Sequence, residues 1–518
     1  MNTRLLYAAM LLSATVSFSQ TFEWVNFPTT NITFDPTSVG YTTVVDTFGA
    51  VYVSGFQDDP FFYNDTFGTV FYHKYAADGS LLFSKTFNGT ATMNYMTSDS
   101  EGNVLLAISH FDILEIDTTS INNTEDVPQQ VLIKMSPLGD VLWHHVLTIS
   151  GSSIQNFKSI AVDVDDNIYV GYDNFANSFI KKLSSIGVEL STITQSSVNL
   201  ISSVDVDSDG NIYVAGSCAN PSSTFADVSQ PTDFEYSIYV VKYSPQGVFQ
   251  WQHYVEDITC ASPMVKAHTP NAVYFSSELL VPFPVGSQQP EGPTSGGVDF
   301  FITKLDADGN FIWLREVPGN GSVQHGNRHY LDIDTAGYLY FTGSTFGSID
   351  WGNNISSSTS PALNSDTVIL QYDSLGQLLQ ATTAGGINDD KSNSVGIAPD
   401  GSIYMTGVTR GNATFGSINH TTANALDYTV FLAKMDNQAL NLPEVRDNSV
   451  KVYPNPVTDW LTISTLQPII NIQVYNLNGQ IFQLPQQDHA VDMQSLANGV
   501  YIIEITTDNE ISYVKVVR

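Results

Sequence analysis

The stretch VDVDSDGNIYVAGS, residues 204–217, decides how the chain is read. Asp205, Asp207 and Asp209 stand at alternate positions before Gly210, like the opening of a calcium loop whose oxygens wrap one hard cation. The closing half is absent. The twelfth position, where a bidentate Glu would complete the shell, is Gly216, and the residues beyond it alternate as a strand does. Asp-Ser-Asp-Gly therefore reads as a hairpin turn, with Gly210 taking the positive φ that a side chain resists. No cofactor is expected, since a structural calcium ion finds no complete ligand set here.

The same phrase recurs. VVDTFGAVYVSG (44–55), SDSEGNVLLA (98–107), VDVDDNIYVG (162–171), TPNAVYFSS (269–277), LDIDTAGYLYFTG (331–343) and GIAPDGSIYMTG (396–407) are variants, making seven copies. Each is followed by a second phrase, of which FITKLDADGNFIW (301–313) and YVVKYSPQGVFQW (239–251) are the fullest; the last, VFLAKMDNQ (430–438), is truncated. The copies are structural repeats with insertions. Each unit reads as four short strands: an apolar strand, an Asp/Gly turn, an Ile-Tyr-Val strand, a variable segment, a Lys-bearing strand, a second turn, and a strand ending in Trp or another apolar residue. Four antiparallel strands make one propeller blade, and apolar residues on both faces of the second strand suit blades packed face to face. The expected fold is all-β: a seven-bladed β-propeller of four-stranded antiparallel blades over residues 20–437.

Two details refine that expectation. The seventh unit lacks its Trp-bearing fourth strand, while TFEWVNFP near the N-terminus carries Trp24, matching Trp143, Trp251 and Trp313. The N-terminal strand is thus expected to complete the last blade and remove an exposed edge. Lys74, Lys134, Lys182, Lys242, Lys304 and Lys434 all occupy one position on the third strand, which makes them scaffold residues that pair with turn carboxylates while their stems pack. Phe225, Phe346 and Phe415 recur after the second strand and read as packing.

These units resemble the bacterial β-propeller repeat often written SBBP, whose phrases are matched best by GGINDD (385–390), VDVDSDGNIYVAG (204–216) and FITKLDADGNFIW (301–313). The resemblance implies an architecture and no particular reaction.

The chain ends carry a different message. Residues 1–19 have one Arg, an apolar run from Leu5 to Val16 and small residues at Ser17 and Ser19, the pattern of a secretory signal cleaved before Gln20. No other stretch is apolar and long enough to span a bilayer, so no transmembrane segment is expected after cleavage. With 19 basic against 52 acidic residues, a net charge of −33, binding to nucleic acid or an anionic membrane is disfavoured. Residues 438–449 read as a linker and 450–518 as a small β-sandwich of short strands. That last segment closely resembles the type A C-terminal sorting domain of the type IX secretion system. The family's YPNP falls at Tyr453, Pro454, Asn455 and Pro456, its V-Y-x-x-x-G at Val474–Gly479, its L-x-x-G-x-Y at Leu496–Tyr501 through Gly499, and its basic terminal strand at Tyr513–Arg518. The resemblance implies the type IX machinery as a partner, export, removal of this domain, and a secreted or outer cell-surface location.

Motifs for chemistry are sparse. No GxSxG elbow, phosphate loop, HExxH or dinucleotide fingerprint occurs, and no catalytic constellation is visible. His325 and His329 lie in a loop with no Cys or carboxylate at ligand spacing, which favours packed or solvated histidines over a metal site. Cys218 and Cys260 follow strands that run the same way, so both a disulfide and two buried free thiols are open. The segments between second and third strands vary most, so the face they share with the connections between units is the candidate binding face. It would present Asp58, Asp59, Phe61, Phe62, His325, Asp350, Trp351, Asp389 and Asp390. Aromatic rings beside carboxylates suit neutral sugars, although Asp389 and Asp390 also suit a turn-capping role. Two function classes follow: an exported binding or adhesion module for an extracellular glycan or protein, and a secreted polysaccharide hydrolase or lyase with a dispersed active site.

Overall fold

The computed structural model describes residues 21–28, 42–61, 67–149, 153–154, 156–293, 297–319, 321–359, 364–422, 424–425, 428–436, 450–465, 468–476, 480–487, 489–507 and 511–518, with the side chains of 56–61, 450–451, 507 and 511–513 excepted. The expected signal (1–19), the expected linker (438–449), Phe62 and Gly479 lie outside these residues. The chain divides into two compact units, 1–439 and 440–518. Both are all-β, and no helix occurs among the described residues.

Among the described residues of the larger unit the strands pair antiparallel in two sheets of four strands, two of eight, one of seven and one of two, and a four-strand group recurs within them. The fourth group is representative: the second half of Glu189–Val206, then Ile212–Phe225, Tyr236–Tyr243 and Phe249–Asp257. Asp207 explains its first turn. Its Oδ1 accepts the amides of Asp209 and Asn211, both at 2.9 Å, and its Oδ2 accepts the Tyr213 hydroxyl at 2.9 Å. Gly210 follows at φ 80°. The Asp-to-Tyr bond repeats at Asp46–Tyr52, Asp163–Tyr169 and Asp334–Tyr340, at 3.2, 3.0 and 2.9 Å. The three aspartates of the opening stretch have separate partners: Asp205 accepts the Ala267 amide at 2.8 Å, while Asp209 is exposed.

Lysine and tryptophan then tie several of the groups to the next. Lys134 pairs with Asp99 at 2.7 Å, and Lys74 and Lys182 stand 3.5 and 3.6 Å from Asp46 and Asp163. Lys242 and Lys304 instead lie over the rings of Tyr213 and Tyr274, at 5.5 and 5.8 Å. Lys134, Lys242 and Lys304 each donate at 3.0 Å to a turn carbonyl of the following group: Ser185, Ala307 and Ser374. The indole N–H groups of Trp143, Trp251 and Trp313 donate to those same three carbonyls. Each Trp sits opposite its group's Lys in the ladder: Trp143–Lys134, Trp251–Lys242 and Trp313–Lys304.

The N-terminal strand Phe22–Asn26 repeats this pattern across the chain ends. It pairs antiparallel with Tyr428–Met435, placing Trp24 opposite Lys434. The Trp24 indole donates to Ala77 O at 3.1 Å, in the second turn of the first group. The first strands also contact one another in cyclic order: Thr42–Val45, the second half of Leu81–Ser98, Asn156–Val162, the second half of Glu189–Val206, Met264–Thr269, Leu331–Ile333, Lys391–Ile397, and back to Thr42–Val45. In Leu81–Ser98 and Glu189–Val206 one continuous strand ends one group and begins the next.

The smaller unit has two four-stranded sheets. Val450–Tyr453, Trp460–Thr465, Ala490–Asp492 and Gln486–Gln487 form one; Ile481–Phe482, Ile469–Asn476, Val500–Thr507 and Ile511–Val517 form the other. Leu461, Ile463 and Val491 of the first share an apolar cluster with Val474, Ile503 and Val516 of the second.

Candidate functional site

The cyclic convergence of first strands brings distant residues to one place. Tyr95, Lys158, Ser202 and Met264, from four successive first strands, meet Arg328 and Tyr330 around a cavity of about 390 Å³. Its rim is made by residues 259–263, Glu278 at the end of a second strand, and His325, so the cavity opens among connections between groups and between second and third strands. Cys260 lines it and is disulfide-bonded to Cys218, with 5.5 Å between Cα atoms.

Two basic side chains of this cavity come without a carboxylate partner. Neither Lys158 nor Arg328 has a carboxylate within 4.0 Å among the described residues. Arg328 Nε is buried without a hydrogen-bond partner, and its Nη1 reaches only Asn327 O, at 3.4 Å. Burial lowers the Arg328 guanidinium to about 10. Burial, then repulsion from Arg328, holds the Lys158 ammonium below the ordinary lysine value, with Asp173 pulling weakly the other way. Asp173 is occupied with Asn156 Nδ2 at 3.0 Å and the Ile201 amide at 3.2 Å. Glu278 is the carboxylate of the rim, and its Oε1 stands 3.6 Å from His325 Nε2. His325 stacks on Tyr330 with ring centres 4.3 Å apart.

A self-contained cluster adjoins the cavity through Tyr95. The Lys266 ammonium lies 3.2 Å from Asp332, 3.8 Å from Asp205 and 3.4 Å from His329 Nε2, and the His329 ring contacts Tyr95. Burial opposes the Lys266 charge, but the two aspartates hold its pKa above the ordinary value. Burial and Lys266 together push His329 down to about 4. His325 and His329 thus face different neighbours, and among the described residues no group of three His, Cys, Asp or Glu side chains is arranged around a metal.

Of the residues expected on the binding face, His325 is the one that lines this cavity. Asp350 is exposed and accepts the Gly352 amide at 3.0 Å. Trp351 is half-buried, donates to Ser357 Oγ at 2.9 Å, and lines a separate cavity with Arg315 and Tyr372. Asp389 accepts the Ser365 amide at 3.0 Å, and the fully buried Asp390 accepts the amides of Arg410 and Gly386 at 2.9 and 2.6 Å, so both hold turns. Asp58, Asp59 and Phe61 belong to the strand Val51–Phe61, where only the backbone is described. Lys158, Arg328, Glu278 and Tyr95 were not singled out from the sequence. The available signal was a lysine at position 158 of a first strand, away from the position the repeat gives to lysine.

In the smaller unit the motif residues clasp the terminal strand. Asn455 donates to Lys515 O and accepts from the Val517 amide, both at 2.9 Å. Gly499 and Arg518 exchange two backbone hydrogen bonds at 2.9 Å, and the Tyr501 hydroxyl donates to Ala497 O at 2.8 Å. Arg518 further donates to Gln494 O at 2.7 Å and Asn498 Oδ1 at 3.1 Å.

Residues 451–517 match the family described as secretion system C-terminal sorting domain. This is an exported protein. The sorting domain engages the secretion machinery, and the protein reaches the cell surface or the medium. No helix is long and apolar enough to cross a membrane among the described residues. The chain matches no curated protein. Solved structures similar to it include the Dos1 propeller, at 10% identity and TM-score 0.39, covering 80% of this chain and 95% of that one. A protein of unknown function from Bacteroides caccae is 11% identical with TM-score 0.32, covering 64% of this chain and 93% of that one. A protein from Lactobacillus plantarum is 14% identical with TM-score 0.36, covering 66% and 83%.

Proposed function

We propose that residues 20–437 form a seven-bladed β-propeller of the SBBP-like kind that acts outside the cell as a glycan-binding module, delivered by a β-sandwich sorting domain. The repeat register, the groups of four strands and the cyclic contact of first strands support the architecture. The observation that carries the binding role is the cavity of about 390 Å³ where four successive first strands meet Arg328 and Tyr330, a volume suited to one or two sugar rings. The decisive experiment applies the exported protein to a glycan array and then assays retained glycans for new reducing or unsaturated ends. Retention without cleavage is expected; absence of retention across the array overturns the reading. The alternative, a polysaccharide-active enzyme, draws on one observation, a carboxylate and an imidazole, Glu278 and His325, 3.6 Å apart at the cavity rim, the side-chain types that general acid–base catalysis uses. New chain ends in the same assay would establish it.

A further inference from the structure

We infer that the ligand enters the cavity with an oxyanion, a carboxylate or sulfate carried on a sugar, and that Lys158 and Arg328 are its charge partners. This rests on the glycan-binding reading and narrows it to acidic glycans.

The chain carries 52 acidic and 19 basic residues, so most of its surface repels anions. Against that background two cations from different groups share one cavity, and neither has a carboxylate within 4.0 Å among the described residues. The scaffold lysines do not behave this way: Lys74, Lys134, Lys182 and Lys434 have carboxylates, and Lys242 and Lys304 have a ring and a carbonyl. Lys266, next door, has two aspartates. Crowding two like charges and burying a guanidinium nitrogen without an acceptor is unfavourable in the empty cavity, and an incoming oxyanion relieves both at once. A guanidinium offers two parallel N–H groups to a carboxylate or sulfate, and an ammonium adds a point charge. Glu278, on the rim, disfavours a second negative group close by and can accept a sugar hydroxyl. The combination suits one acidic sugar within a chain more than a dense polyanion.

The test measures affinity of the exported protein for three oligosaccharides of equal length: an oligogalacturonate, a sulfated galactan fragment and a neutral galactan fragment. Binding of one or both acidic ligands at least ten-fold tighter than the neutral one is expected, and the tighter acidic ligand tells carboxylate from sulfate. Lys158→Ala and Arg328→Ala should each weaken the acidic ligand at least ten-fold and leave the neutral one nearly unchanged, Arg328→Lys should recover part of the loss, and Asp350→Ala should change nothing. Equal binding of acidic and neutral ligands, or unaltered acidic binding by well-folded Lys158→Ala and Arg328→Ala variants, overturns the inference while leaving the glycan reading intact. Should those variants not fold, melting of the unsubstituted protein decides: saturable stabilisation by galacturonate or sulfate beyond that of sodium chloride at equal ionic strength supports the anion site, and its absence overturns it. Stabilisation by free anion with no oligosaccharide bound would retain the anion site and overturn the glycan reading.

Discussion

Tyr213 and Tyr274 occupy the same repeat position and are both fully buried, yet they differ in their hydroxyls. Tyr213 donates to Asp207, whereas the fifth group has no aspartate at its turn and Tyr274 Oη has no hydrogen-bond partner. Tyr213→Phe should therefore cost about 1 kcal/mol, while Tyr274→Phe should be neutral or stabilising, as thermal melting of the two variants would show. Buried carboxyls supply a second expectation. Burial pushes Asp390 from 3.8 up to about 8 and Asp299 up to about 7, so the folded chain holds protons that the unfolded chain releases above about pH 4. Stability from these groups is complete below that pH and is lost as pH rises through about 7 to 8. His73 and His329, lowered by burial from 6.5 to about 4, act oppositely and only below about pH 6.5. The melting temperature should fall above that pH, and Asp390→Asn, though less stable overall, should show a shallower fall; an unchanged slope would refute the assignment. The Asp-to-Tyr spacing was legible because both residues lie within one repeated phrase. Lys158 and Arg328 were not, because they meet only when segments from different groups converge, and the off-register lysine alone does not name its neighbour.

Among the elements, the rim segment 259–263 has the plainest mechanical role, since Cys260 anchors it to Cys218 on the strand Ile212–Phe225. The bond closes a loop across a sequence separation of 42, worth about 4 kcal/mol on the chain-entropy account. Cys218→Ser with Cys260→Ser should lower the melting temperature and weaken ligand binding, because the freed segment forms a cavity wall. Thiol titration of the unfolded, unreduced protein should find no reactive group. The sequence could send both cysteines to one face but could not place them 5.5 Å apart at Cα, since that spacing depends on how the rim crosses a neighbouring strand. Continuous strands were likewise hidden. Leu81–Ser98 passes from one group to the next at Gly89, φ 125°, without a connecting loop.

At the scale of the molecule, residues 451–517 match a sorting domain, so the extracellular form should end between Asn437 and Val450. Intact-mass measurement that found Arg518 on the secreted protein would contradict this. Deleting Thr21 to Phe27 removes the strand paired with Tyr428–Met435 and the Trp24 contact with Ala77, and Trp24→Ala alone should cost about 3 kcal/mol. A deletion variant that melts like its parent would show that the pairing contributes nothing. The all-β character and the pairing of the odd N-terminal strand were readable because turn phrases recur, whereas the cavity depends on the mutual approach of units that no single phrase encodes. The pairing of Trp24 with Lys434 also sets an order of events. Joining ends roughly four hundred residues apart in an otherwise unfolded chain costs about 5 kcal/mol of loop-closure entropy, but little once the intervening groups have stacked and brought the ends together. The strand Phe22–Asn26 should therefore dock late, acting as a latch that cannot shut until Tyr428–Met435 is in place, so a chain cut short before Tyr428 keeps an unsatisfied edge that proteases can find.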